Sequence, residues 1–253
     1  PELVGPELRE MLAAKRVRLD TRVLWAQEYR TTIPYVERNE TEPLLEALLK
    51  DTQHWLLNLS APGGMGKSMY IRAVVARHCA RKGVPCAKID FDFVPHLANV
   101  AAEPWRLLLR MAEQLNRQLR DSPFQELLTS YGQFGAESDS AVIVSPREFF
   151  GSDLSPADKA ALRATVLSRF TDVLRAVGKD VNTPVLLIFD TLENLQHGNL
   201  DLEALYDLLL EVHARCASVR VILAGRLDLA KPLPPAAGAP LPPDYIAEVA
   251  TIA

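Results

Sequence analysis

The sequence predicts an α/β domain: a mostly parallel sheet flanked by helices on both faces. Three observations carry that expectation. Short apolar runs alternate along the chain with amphipathic helical segments. The runs are apolar throughout rather than at every second residue, as strands buried on both faces are. A glycine cluster separates the first run from the first long helix. Composition agrees, since 48% hydrophobic and 24% charged residues among 253 are ordinary globular values. Twenty-eight basic against 32 acidic residues leave a net charge of -4, which gives no bulk drive toward nucleic acid. No apolar run approaches the roughly 18 residues of a membrane span.

Residues 1–34 read as a helical lead-in or linker, with Leu8, Leu12, Leu19, Val23 and Leu24 among many charges. Pro34 interrupts it. A short amphipathic helix follows from Glu42 to Lys50, with Thr41 as N-cap and Pro43 in the first turn. The run His54–Leu59 reads as the first strand, and Lys67 to Arg81 as a helix stopped by Gly83. Pro85 to Phe93 reads as the second strand. Glu103 to Arg120 carries a 3.6-residue stripe of Trp105, Leu108, Leu109, Ala112, Leu115 and Leu119, and so reads as a helix.

Residues 132–156 mix Gly, Ser, Asp and Pro around a short apolar patch, which predicts an inserted loop or lid. Ser155-Pro156 opens a helix running to Val177. Pro184 to Asp190 is an apolar strand ending in an acid, Leu202 to Val212 another helix, and Val219 to Ala224 the next strand. Residues 231–243 hold six of the 18 prolines and read as an extended connection. Asp244 to Ala253 alternates weakly, as a last short strand would. Residues 35–253 are thus expected to form one domain.

The glycine cluster has a chemical meaning. Ala61-Pro-Gly-Gly-Met-Gly-Lys-Ser68 matches the phosphate-binding pattern G-x-x-x-x-G-K-[ST], with Ala61 at the first glycine position. Gly63, Gly64 and Gly66 let successive backbone N–H groups converge on phosphate oxygens with no Cβ in the way. Met65 lies between the last two. The helix that follows, starting at Lys67, Ser68 and Met69, offers its N-terminal dipole to the same anion. Lys67 would reach the β/γ-phosphates, and the Ser68 hydroxyl would ligate Mg²⁺. The expected architecture is therefore the three-layer sandwich of a P-loop NTPase, with ATP/ADP and Mg²⁺ as cofactors.

Such a loop needs an acid at the end of a neighbouring strand. Val185–Asp190 supplies one, and Glu193 follows three residues later. Asp190 is expected to hold Mg²⁺ and Glu193 to polarise the attacking water. Asn194 beside it is a weaker candidate for orienting that water. Arg226 ends the next strand, where a parallel sheet lines its ligand crevice, and is expected to read the γ-phosphate. Arg72, Arg77, Arg81 and Lys82 spread over several helix faces and read as solvated surface, so nucleic acid is not an expected partner. The five histidines, His96 and His197 included, lack ligand spacing.

With these segments in hand, the chain resembles the STAND class of P-loop NTPases, which includes the NACHT and NB-ARC families. Tyr35-Val-Glu-Arg-Asn-Glu40 is similar to the class's opening hhGRexE motif, with Glu37 where glycine is usual. The resemblance implies that Val36 and Arg38 lie near adenine and phosphates. Pro62–Ser68 is similar to its double-glycine loop. Leu187-Ile-Phe-Asp-Thr-Leu-Glu193 is similar to its acidic strand end, with Asn194 in place of a common second acid, and the Arg226 strand is similar to its sensor strand. Beyond the opening motif, the chain carries no sequence that reads guanine or adenine.

The resemblance spans Tyr35 to Arg226. It implies an isolated nucleotide-binding domain of a larger protein, whose lid, winged-helix and effector or repeat regions lie elsewhere. It also implies a signalling switch that ADP holds closed and ATP opens, with slow Mg²⁺-dependent hydrolysis and nucleotide-driven homo-oligomerisation. Two alternatives remain: a turnover ATPase of the AAA-like kind, and a nucleotide-binding scaffold that does not hydrolyse. Cys79, Cys86 and Cys216 lack metal or CxxC spacing and are expected to be buried, reduced thiols. With no signal-peptide core in the first thirty residues, that predicts a cytoplasmic protein.

Overall fold

The computed structural model describes residues 41–50, 55–94, 103–131, 155–181, 184–197, 202–226 and 248–251, with single positions at 5, 12, 16, 19 and 23. Five strands, β1 (Leu56–Ser60), β2 (Cys86–Asp90), β3 (Val185–Asp190), β4 (Val219–Gly225) and β5 (Glu248–Thr251), form one sheet in the order β2-β3-β4-β1-β5. Every pairing is parallel. The expected α/β fold, a parallel sheet between helical layers, is what the chain adopts.

Successive residues of these strands feed opposite cores, which explains why the runs are apolar throughout. One face packs Ala87, Ile89, Leu187, Phe189, Val221 and Leu223 under the helices α3 (Arg106–Asn116), α4 (Gln125–Tyr131), α5 (Pro156–Val181) and α7 (Leu202–Arg215). The other packs Leu57, Leu59, Cys86, Leu186, Ile188, Ile222 and Ala224 under α1 (Glu42–Lys50) and α2 (Lys67–Val74). All three cysteines are buried and free, as expected. Among the described residues, no helix is long and apolar enough to cross a membrane.

Helix α2 widens into a π-helical turn over Val75–Ala80. It stops at Gly83, whose φ of 75° is the left-handed cap that glycine adopts without strain. Both Gly83 and Val84 N–H groups donate to the Cys79 carbonyl. Helix α5 starts where Ser155 was expected to open it. The Ser155 hydroxyl accepts from the Asp158 N–H at 3.2 Å. The helix runs to Val181, four residues beyond the expected end.

Other elements differ from expectation as well. Strand β2 ends at Asp90 rather than Phe93, because Asp90 closes a turn. Its carboxylate accepts from Asp92 N–H at 3.2 Å, and its carbonyl accepts from Phe93 N–H at 3.0 Å. Helix α3 covers only Arg106–Asn116, and the chain then turns through Asp121 and Ser122 at positive φ into α4, which no periodicity announced. The stretch after β3 also forms a short helix, α6 (Glu193–His197). The lead-in 1–34 lies outside the described residues except at positions 5, 12, 16, 19 and 23. The predicted insertion, apart from 155–156, and the proline-rich 231–243 also lie outside them.

Candidate functional site

In a parallel sheet all strands end at one edge, and the registers bring four chemically distinct ends together there. Asp90 is opposite Asp190, and Ser60 is opposite Gly225. Strand β4 lies between β1, which feeds the glycine loop, and β3, which ends in Asp190. Backbone bonds stitch the ends: Ala61 N–H donates to Gly225 O at 3.2 Å, and Leu192 N–H to Ala224 O at 3.0 Å.

The loop has the backbone its glycines were expected to permit. Gly64 and Gly66 have φ of 82° and 84°, and Gly66 is the residue that precedes α2. As a glycine, Gly66 offers no side chain to cap the first turn of that helix. Pro62, Gly63, Gly64 and Met65 are exposed, so the loop presents its backbone at the surface. Lys67 is buried, and its Nζ donates to Ala61 O at 2.5 Å and Pro62 O at 3.1 Å. Burial holds this ammonium below the ordinary lysine range, with Glu193 opposing the shift.

Ser68 and Asp190 meet although 122 residues separate them: the Ser68 hydroxyl donates to Asp190 Oδ1 at 3.3 Å. Burial pushes the Asp190 carboxyl up from its ordinary range, and the nearby Lys88 opposes that. A hydroxyl and a carboxylate are the hard oxygen donors that Mg²⁺ takes. Among the described residues no group of three His, Cys, Asp or Glu side chains forms a protein-only metal cage. That donor set fits an ion completed by phosphate oxygens and water, as Mg²⁺ is in phosphoryl-transfer sites.

Arg226 extends from β4 over the glycine loop. A Cβ placed on Gly63 would lie 3.4 Å from its guanidinium carbon. Its Nε donates to Glu193 Oε1 at 3.0 Å; the Arg226 side chain is 61% exposed and that of Glu193 only 10%. Gly225 permits this approach, since a Cβ there would meet Leu192 Cβ at 3.1 Å and Glu193 Oε2 at 3.4 Å. The Arg226 head is exposed and paired with Glu193.

The structure brings Gly63, Gly64, Met65, Gly66, Lys67, Ser68, Asp190, Glu193 and Arg226 to one edge, with Met69 in the first turn of α2. Asn194, the weaker candidate for orienting water, is bonded to the turn after β2: its Nδ2 donates to Asp92 Oδ1 at 2.5 Å. Val36 and Arg38 lie outside the described residues. Sequence reasoning missed Lys88 and Asp90, which flank Asp190 at 3.0 Å and in register. Their signal was present: two charged residues at i and i+2 near the end of an otherwise buried strand.

No protein-family model matches the chain, and no curated protein matches it either. Among solved structures it is similar to the Walker-type ATPase PABY2304 of Pyrococcus abyssi, at 17% identity and a TM-score of 0.39, over 87% of this chain and 53% of that one. It is also similar to C. elegans PCH-2, at 11% identity and a TM-score of 0.36, over 92% of this chain and 40% of that one. The chain thus spans less than two thirds of either. These likenesses are loose. The P-loop architecture stands on the motif, the parallel sheet and the Ser68–Asp190 contact.

Proposed function

We propose that the chain is an ATP/ADP-binding domain that hydrolyses ATP slowly with Mg²⁺ and works as a signalling switch of the STAND kind. The observation that carries the reading is Arg226, one guanidinium that lies beside Gly63 of the glycine loop and donates to Glu193. An arginine so placed senses a γ-phosphate and at the same time governs the base beside it. While Arg226 holds Glu193, that carboxylate is committed to an ion pair rather than to a water, which favours slow turnover.

The chain's other residues fall into matching roles. The loop N–H groups and Lys67 bind the β/γ-phosphates, and Ser68 and Asp190 hold the metal, directly or through water. Bound Mg²⁺ would neutralise charge that develops on the phosphates. Val36 and Arg38 would complete the adenine and phosphate contacts. In this reading residues 35–253 are the nucleotide domain of a larger cytoplasmic protein. Lid, winged-helix and effector or repeat regions are its partners, and ATP drives homo-oligomerisation.

Titrating ATP and ADP with Mg²⁺ into the protein and into Lys67→Ala tests the assignment. Lys67→Ala is expected to lose nucleotide binding, because it removes the charge opposite the phosphates. Retained micromolar affinity in that variant sinks the P-loop reading. Rapid steady-state turnover by the unaltered chain would favour the AAA-like alternative, and tight binding without hydrolysis the scaffold.

A further inference from the structure

Beside the acid that ends β3 stands a second one that ends β2, with a lysine between them. Lys88 Nζ lies 3.0 Å from Asp190 Oδ2 and 2.9 Å from Asp90 Oδ2. The ammonium-bearing side chain is 13% exposed and that of Asp190 only 1%. Asp90 Oδ1 also accepts from the Thr191 hydroxyl at 3.1 Å. Thr191 has a φ of 61°, a left-handed conformation uncommon for a β-branched residue. Its N–H donates to Asp190 Oδ1 at 3.0 Å. Oδ1 of Asp190 accepts from Thr191 N–H and the Ser68 hydroxyl, whereas Oδ2 is ion-paired with Lys88 and accepts no hydrogen bond among the described residues.

We infer that Lys88 and Asp90 are positioning residues that set the divalent-cation affinity of the nucleotide site. Lys88 competes with the cation for Asp190, while Asp90 anchors Lys88 and offsets its charge. The inference rests on the reading of Ser68 and Asp190 as the metal end of that site. Within this trio, two carboxylates and one ammonium sum to a single net negative charge. A divalent cation arriving alone meets a fixed ammonium across a few ångströms of partly buried space, where charges interact more strongly than in water. Phosphate oxygens tip the balance. Cation and nucleotide are therefore taken up together, and Mg²⁺ does not stand in the site by itself.

The test uses a fluorescent ADP analogue, with and without Mg²⁺, at pH 8 on the unaltered chain and three variants. Lys88→Met removes the competing charge and lowers the Mg²⁺ concentration for half-maximal tightening about tenfold. Asp90→Asn leaves Lys88 uncompensated and raises it by a similar factor. Lys88→Arg keeps the charge and stays with the unaltered chain. Affinity for the analogue without Mg²⁺ stays within about threefold in all of them, because the phosphate loop is untouched.

Shifts of Lys88→Met and Asp90→Asn in the same direction overturn the inference, since structural residues lose function together. Equal losses with and without Mg²⁺ overturn it as well. If the unaltered chain shows Mg²⁺-linked binding and neither variant moves it, only the inference about Lys88 and Asp90 falls. If the unaltered chain does not bind the analogue at all, the nucleotide reading falls and this inference with it.

Discussion

Glu193→Gln separates chemistry from architecture, because the structure predicts very different sizes for the two effects. Glutamine keeps the shape of the side chain and a carbonyl oxygen to accept from Arg226 Nε, now at 3.0 Å from Glu193 Oε1. What it loses is charge. Arg226 is 61% exposed, so solvent screens the pair and its loss costs at most about 1 kcal/mol of stability. A general base is worth about 10²–10⁴ in rate, or roughly 3–5 kcal/mol of barrier. The variant is therefore expected to unfold at nearly the same urea concentration and to bind Mg²⁺–ATP. Its single-turnover hydrolysis, followed by phosphate release, falls by at least a hundredfold. Unchanged hydrolysis would refute Glu193 as the base. A stability loss of about 3 kcal/mol or more would instead make it a structural residue.

Arg226→Ala is expected to erode the preference for ATP over ADP, measured by competition titration, and an unaltered ratio would return Arg226 to the surface. Asn58 lies fully buried in β1, and neither amide atom has a hydrogen-bond partner among the described residues. Asn58→Leu is expected to raise stability by about 1–3 kcal/mol in urea unfolding, and a loss would point to a partner for that amide. His78 and His213 are both held below the ordinary 6.5 by burial. For His78 the opposing group is chiefly Glu42, with Glu46 also opposing and Lys82 reinforcing burial. For His213 the Val219 backbone opposes the shift and Arg220 reinforces it. The unfolded chain therefore binds protons more readily there, so stability falls as pH drops below 6.5. The His78→Gln/His213→Gln double variant flattens that part of the pH profile, and an unchanged slope between pH 7 and 5 contradicts it.

The parts of the site that could be read from sequence are those whose chemistry demands particular residue types. Positive φ at Gly64 and Gly66 requires glycine, and a phosphate loop requires the lysine and hydroxyl that follow. An acid after five buried apolar residues in β3 is costly unless it serves a purpose, which is what marks Asp190. Tertiary geometry hid the rest. Lys88 and Asp90 look like surface charges on an edge strand until β2 is placed in register against β3. The bond from Asn194 to Asp92 likewise depends on the turn after β2 meeting α6. Helix α4 buries little beyond Leu127 and so leaves no readable stripe. The early end of β2 follows from Asp90 closing its own turn, which wins over the strand propensity of Phe91 and Phe93.

A switch that ADP holds closed exchanges its nucleotide slowly, and the nucleotide carried through purification tests the proposed function most directly. The protein is purified without added nucleotide and denatured, and the released nucleotide is identified and quantified by chromatography. Near-stoichiometric ADP is the predicted result. Release of no nucleotide, followed by no binding when Mg²⁺–ATP is titrated into the same preparation, would contradict the claim outright.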